Sequence, residues 1–213
     1  MEKDTLISRS LISWGVAWRE LPGQSICGDV HLVKPLADGV LLAVVDGLGH
    51  GNEATAVAKT AAGVLERHAG EPLPALVKRC HEALTGTRGV VMTVATLRSS
   101  DGKLTWLGVG NVEAVLVRPD KHAKGSSERA LLHSGIVGYQ LPALRSSTTA
   151  LTPGDMLVFA TDGIDAGFTE GVMRNDSPQQ IADRVLKRYF KGTDDALVLV
   201  VRYIRPGHEQ SSA

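Results

Sequence analysis

Val44-Val45-Asp46-Gly47-Leu48-Gly49-His50-Gly51 closes an apolar run that begins at Leu41 and leads directly into an alanine-rich segment. Leu41 to Val45 has the length and composition of a buried strand, and the segment after Gly51 has helical periodicity. A carboxylate therefore stands where a buried strand ends. Glycines at 47, 49 and 51 let the backbone turn sharply and expose its carbonyls and amides, while an apolar core cannot satisfy Asp46. The stretch reads as a holder for something charged.

Upstream, Gly28-Asp29 precedes a strand from Val30 to Lys34, and a turn over Pro35 to Gly39 returns the chain as the central strand Val40 to Val45. Antiparallel pairing then sets Asp29 beside Asp46, two carboxylates whose repulsion a bound cation would relieve. Downstream the device recurs. Thr152-Pro153-Gly154-Asp155 is a turn signal before the apolar strand Met156 to Thr161, which ends in Asp162-Gly163. Gly192-Thr193-Asp194-Asp195 leads into the strand Ala196 to Tyr203, and antiparallel pairing returns Asp194 to the same rim. One Asp-Gly is ordinary turn chemistry. Asp29, Asp46, Asp162 and Asp194 together form an all-oxygen cluster without cysteine or a helical histidine pair, which favours magnesium or manganese over zinc. Two ions, each keeping several waters, suit about four carboxylates.

The remaining elements follow from periodicity. Leu11 to Trp18 reads as a first strand with Trp14 and Trp18 on one face, assigned to core or edge packing rather than to stacking on a base or cofactor. Asn52 is the expected N-cap of a helix carrying Ala54, Val57, Ala58, Ala61, Val64 and Leu65, and Pro74 opens a second with the stripe Leu76, Val77, Cys80 and Leu84. Val90 to Leu97, Leu104 to Val109, Glu113 to Arg118 and Glu128 to Leu132 read as a meander of strands, with Lys121 to Ser127 a polar loop. Ser177-Pro178 starts a helix bearing Ile181, Val185 and Tyr189. Gly108-Val109-Gly110 lacks the third glycine of a dinucleotide fingerprint and leads to a strand, which excludes a Rossmann reading.

Composition narrows the functional classes. Lys+Arg and Asp+Glu are equal at 23 each, so no global positive field draws a nucleic acid. Cys27 and Cys80 belong to no Cys-x-x-Cys pair, and no apolar run approaches the roughly 20 residues that span a bilayer. The expectation is a cytoplasmic protein with neither nucleic acid nor membrane as partner. With 43% hydrophobic and only 4% aromatic residues in 213, small and β-branched side chains must fill one α+β domain, two packed antiparallel sheets flanked by helices. Its core is expected over residues 11–204, with a polar tail beyond.

Val45-Asp46-Gly47-Leu48-Gly49-His50-Gly51, Gly28-Asp29, Pro153-Gly154-Asp155 before Thr161-Asp162-Gly163, and Asp194-Asp195 before the last strand resemble the ordered motifs of the metal-dependent protein phosphatases, the protein phosphatase 2C family. The Gly-Leu-Gly-His-Gly form is similar to the bacterial SpoIIE-like branch. The resemblance runs from about Trp14 to Tyr203. It implies a protein phosphatase 2C-like sandwich that hydrolyses phosphoserine or phosphothreonine with two Mn2+ or Mg2+ ions. By position, Asp46 bridges the ions, the Gly47 carbonyl binds one, Asp162 and Asp194 complete the set, and Asp29 reaches the site directly or through water. Catalytic work falls to Asp29, Asp46 and Asp162. Asp195 supports from behind or faces away, His50 packs or hydrogen-bonds near the helix start, and Asn111 with the Ser134 to Gly138 loop lines the cleft. Arg19 lies near the place of the phosphate-holding arginine of eukaryotic members, but its context does not match. The small size resembles the stressosome phosphatases of that branch, which implies phosphorylated STAS-domain stressosome proteins as partners. Two rivals stand beside this reading: a phosphatase-fold binding module with an incomplete metal site, and a hydrolase of small phosphate esters.

Overall fold

The apolar strands bury both of their faces, and this dictates a layered architecture. In β3 (Gly39–Gly47), Val40, Leu42 and Val44 point into one apolar cluster while Leu41, Ala43 and Val45 point into another. In β11 (Ala196–Tyr203), Leu197, Leu199 and Val201 share the first cluster with β3, and Ala196, Val198 and Val200 enter a third. The shared cluster is the contact between two sheets. The computed structural model describes residues 11–119, 127–172 and 175–204. The polar tail beyond residue 204 and the loop from Lys121 to Ser127, Ser127 excepted, lie outside them.

One sheet has the order β1-β11-β10-β6-β7, built from β1 (Ile12–Arg19), β6 (Glu113–Val117), β7 (Ser127–Arg129), β10 (Met156–Ala160) and β11. The other runs β2-β3-β4-β5-β8, from β2 (Asp29–Leu36), β3, β4 (Val90–Arg98), β5 (Lys103–Val109) and β8 (Leu132–His133), with β9 (Ser147–Ala150) also paired to β5. Helices α1 (Gly51–Arg67) and α2 (Leu73–Ala83) cover the outer face of the second sheet, and α3 (Pro178–Tyr189) covers the first. This is the expected α+β sandwich. All pairings are antiparallel except the two-residue ladder of β5 with β8.

Four local expectations change. The strands after Val90 are not one meander: β4 and β5 lie in one sheet, and the chain crosses at Gly110-Asn111-Val112 to lay β6 in the other. Glu128 to Leu132 is not a single strand either, because Ser127–Arg129 pairs with β6 while Leu132–His133 pairs with β5. Asn52 lies inside α1, whose N-cap is His50 with extended backbone and no side-chain capping bond. Trp14 and Trp18 lose the core half of their expectation and keep the edge half, standing on edge strand β1 at 44% and 53% exposure. At α3 the Ser177 expectation holds, with a capping box in which Ser177 accepts from the Gln180 amide and Gln180 accepts from the Ser177 amide.

Where α3 crosses β1, backbone meets backbone. A Cβ on Gly15 would collide with the main chain of Pro178 and Gln179. Gly15→Ala must push the helix off its sheet, and overpacking of this kind costs about 1–3 kcal/mol. The expected outcome is a lowered melting temperature at an unchanged strand content, read by thermal unfolding and circular dichroism.

Candidate metal centre and active site

Each sheet brings a pair of carboxylates to one rim of the sandwich. Asp46, near the end of β3, is directly opposite Asp29 at the start of β2. Asp162 follows β10 and Asp194 precedes its neighbour β11, with the Thr161 amide bonded to the Leu197 carbonyl to fix the junction. Hydrogen bonds then sew the sheets together at this rim. Thr161 Oγ1 donates to Asp29 Oδ2 at 2.8 Å and accepts from the Leu197 amide at 2.8 Å. Asp195 is buried, and its two oxygens accept from the Leu21 amide at 2.7 Å and the Gly28 amide at 2.8 Å. Asn111 Nδ2, at the crossover between sheets, donates to Asp162 Oδ2 at 2.8 Å.

Both Asp-Gly pairs owe their glycine to close approach. A Cβ on Gly47 would strike the backbone of Ala54 in the first turn of α1, and one on Gly163 would strike the Asp195 carbonyl. Neither glycine has a positive φ. Gly49 and Gly51 do, at 88° and 74°, and these are the residues that bend the loop into α1. Arg88 holds that loop from outside, donating to the Leu48 carbonyl at 2.9 Å and pairing with Glu53.

The rim carries negative charge with little to offset it. Burial, then the charges of Asp162, Asp194 and Asp195, push the Asp46 carboxyl up to about 7. Asp29 is raised well above the usual carboxylate range by burial and next by Asp46, against the opposing effect of the Thr161 bond. Asp194 is raised, first by burial. Among the described residues no ion pair reaches Asp29, Asp46, Asp162, Asp194 or Asp195. Nor, among them, do three His, Cys, Asp or Glu side chains enclose one ion by themselves. The donors that do gather here are carboxylates, the ligand type of hydrated magnesium or manganese, which takes one or two carboxylates and keeps waters. A cysteine nucleophile is excluded on other grounds: burial first of all pushes both the Cys27 and Cys80 thiols up to about 12, so neither supplies a thiolate near neutral pH.

All four expected carboxylates thus meet at one rim. Asp195 is the support behind them, anchoring the loop between β1 and β2. His50 is exposed at the start of α1, close enough to Asp194 for its charge to act there. Arg19 lies over the Phe190 ring at 5.1 Å. Of the Ser134 to Gly138 loop, Val137 pairs with Val90, the strand residue opposite Gly47. Asp155 does not belong to the rim: it is buried under the turn it follows, accepting from the Thr152 amide and from Arg118. Three participants escaped the sequence reading. Thr161 had a signal, a polar residue inside an apolar strand next to Asp162. Arg88 and Lys191, whose ammonium donates to the Asp162 carbonyl at 2.6 Å, had none, since both reach the site from distant turns.

The model of the stage II sporulation protein E (SpoIIE) family matches residues 37–204. Phosphoserine phosphatase RsbX of Bacillus subtilis (strain 168) is 25% identical over 179 residues, 84% of this chain and 88% of that protein. The structure of RsbX in complex with magnesium superposes with a TM-score of 0.79 at 24% identity, over 91% of this chain and 96% of that one. A chain from the bacterial stressosome, described as a modular system adapted to control secondary messenger signalling, gives 0.82 at 28% identity over 90% and 99%. The protein phosphatase 2C domain of SpoIIE from Bacillus subtilis, solved with a fragment of its regulatory domain, gives 0.74 at 22% over 92% and 64%.

Two outcomes are expected. Thr161→Val leaves Asp29 and the Leu197 amide without their partner and should cost about 1–3 kcal/mol in chemical denaturation, whereas Thr161→Ser keeps both bonds and most of the stability. The second concerns pH. In chelator, Asp46 keeps its proton up to about pH 7 when folded but releases it near 3.8 when unfolded, so the folded state binds more protons in that window. Its melting temperature should therefore fall as pH rises from about 4 to 7, and millimolar manganese should remove the fall.

Proposed function

The chain belongs to the stage II sporulation protein E (SpoIIE) family, and on that premise we propose that it is a metal-dependent protein phosphatase, specific for phosphoserine and phosphothreonine, acting on phosphorylated STAS-domain proteins of a stressosome. The observation that carries the reading is the rim itself: four aspartates from two sheets, crowded by one another, whose carboxylates form no ion pair with any described lysine, arginine or histidine. Similarity to RsbX over most of both chains supports the substrate class. We take residues 11–204 as one catalytic domain. Among the described residues no helix is long and apolar enough to cross a membrane, and we place the protein in the cytoplasm.

In this reading Asp46, the Gly47 carbonyl, Asp162 and Asp194 hold two Mn2+ or Mg2+ ions. When bound, such ions acidify water and polarise the phosphoryl oxygens for in-line displacement. The protein's own residues do the rest. Asp29, held by Thr161, stands beside Asp46 where it can accept a hydrogen bond from the attacking water and orient it. Asn111 and Lys191 fix Asp162 from its side chain and its carbonyl. Asp195 keeps the β1–β2 loop down at the edge of the site.

Hydrolysis of p-nitrophenyl phosphate should require manganese or magnesium and stop in chelator. Asp46→Asn and Asp162→Asn should each lose more than the roughly 10- to 100-fold typical of an outer-shell partner, with the fold kept. Activity persisting in either variant argues for a different centre. An intact phosphorylated STAS protein should have a higher kcat/KM than a phosphopeptide of the same local sequence, since a folded partner can bury surface around the phosphate that a short peptide does not offer. Equal values would indicate a phosphatase that reads the phosphoryl group alone.

A further inference from the structure

Trp18 lies at one side of a trough of about 390 Å³ along the open edge of the sandwich, between the edge strands β1 and β2. Ile26, Cys27, Lys59 and Leu197 line it, and Asp29 contributes to its wall. The trough is therefore continuous with the candidate metal rim. Trp18 and Ile26 are 53% and 40% exposed, and Trp14, four residues before Trp18 on the same face, extends the apolar strip at 44% with its ring centroid 5.8 Å from that of His31. Two of the chain's three tryptophans are thus in water on one strand. Tryptophan at an exposed, contiguous site is the residue most enriched in interaction hot spots.

Two features say what kind of partner fits. The edge of β1 is closed at its middle: Gln179 accepts from the Val16 amide at 3.1 Å and donates to the Val16 carbonyl at 2.9 Å, so a partner cannot simply add a strand there and must engage side chains. The loop carrying Ser25, Ile26 and Cys27 is clamped at both ends by Asp195 through Leu21 and Gly28, which makes it a fixed platform in register with the carboxylates.

We propose that Trp14, Trp18 and Ile26 form the docking surface for the phosphoprotein substrate itself, receiving an apolar ridge on the folded partner while its phosphoserine or phosphothreonine reaches the rim past Asp29. Glu20 and Lys59 both line the trough and offset each other, so the contact rests on the apolar strip and on its continuity with the rim at Asp29. The inference rests on the phosphatase reading above. It assigns recognition of the folded partner to an aromatic strip beside the rim.

The test compares Trp18→Ser and Ile26→Ser with the parent protein, in manganese, on three substrates: p-nitrophenyl phosphate, a phosphopeptide, and an intact serine-phosphorylated STAS-domain protein. The expected result is a fall of about 10- to 100-fold in kcat/KM for the intact protein, carried by KM, with the two small substrates and the melting temperature unchanged and Trp18→Phe recovering part of the loss. Parallel loss on all three substrates, or none on any, overturns the docking surface and leaves the phosphatase reading standing. A parent protein active on p-nitrophenyl phosphate but not on the phosphoprotein overturns the partner and the docking surface together. Sedimentation that finds a dimer abolished by Trp18→Ser also overturns it, because a second copy then covers the strip.

Discussion

Asp29 and Asp46 are largely withdrawn from water beside the half-buried Asp194, with no lysine or arginine among the described residues in an ion pair with them, and the rest of the structure is arranged so that this crowding survives. Burying a carboxylate without a partner is costly, and each added neighbour raises the cost. Large apolar clusters on both faces of the central strands offset it. The donors near the rim are divided unevenly. Thr161 serves Asp29 and two backbone amides serve Asp195, while no amide or hydroxyl among the described donors bonds to Asp46. The least satisfied carboxylate is one of those that would hold the ions in the proposed centre.

The two sheets reach this rim by the same local solution. In each, an apolar strand ends in aspartate and glycine, and the glycine is needed because another piece of backbone passes against it: the first turn of α1 at Gly47, the Asp195 carbonyl at Gly163. A side chain at either glycine would lift a neighbouring element and move an aspartate with it. Backbone contact therefore sets the separation of the carboxylates, and the hydrogen bonds of Thr161, Asn111 and Asp195 sharpen it.

Much of this was legible before any coordinates. Apolar runs bounded by Asp46-Gly47, Asp162-Gly163, Gly28-Asp29 and Asp194-Asp195 placed four carboxylates at strand ends, and antiparallel pairing alone was enough to put Asp29 beside Asp46. Val40 to Val45 showed as a central strand and Ala196 to Tyr203 as a strand, and both prove to be buried on both faces. What escaped depends on contacts between distant segments. Nothing in Gly110-Asn111-Val112 announces a change of sheet, since a hairpin and a crossover use the same turn residues. Arg88 and Lys191 are ordinary exposed cations in sequence. Trp14 and Trp18 were assigned to packing by the general habits of tryptophan, but an edge strand facing another edge strand has no layer beyond it to bury them. Asn52 was a fair cap by residue type, yet the cap is His50, with Gly51 at positive φ and Asn52 already inside α1.

The place of β11 has a consequence for how the molecule is made. It is the last strand in chain order but lies between β1 and β10, and it opens with Asp194 and Asp195. While the chain is being synthesised, the first and tenth strands wait with unpaired edges on either side of a gap, a state open to wrong partners. Only when the final strand slides in are the Gly28 and Leu21 amides bound, the Thr161 hydroxyl seated and the acidic rim completed. β11 is thus the element on which the rim is assembled: a chain cut before Ala196 would keep all five aspartates in its sequence but lose the strand that holds Asp194 and Asp195 beside Asp162.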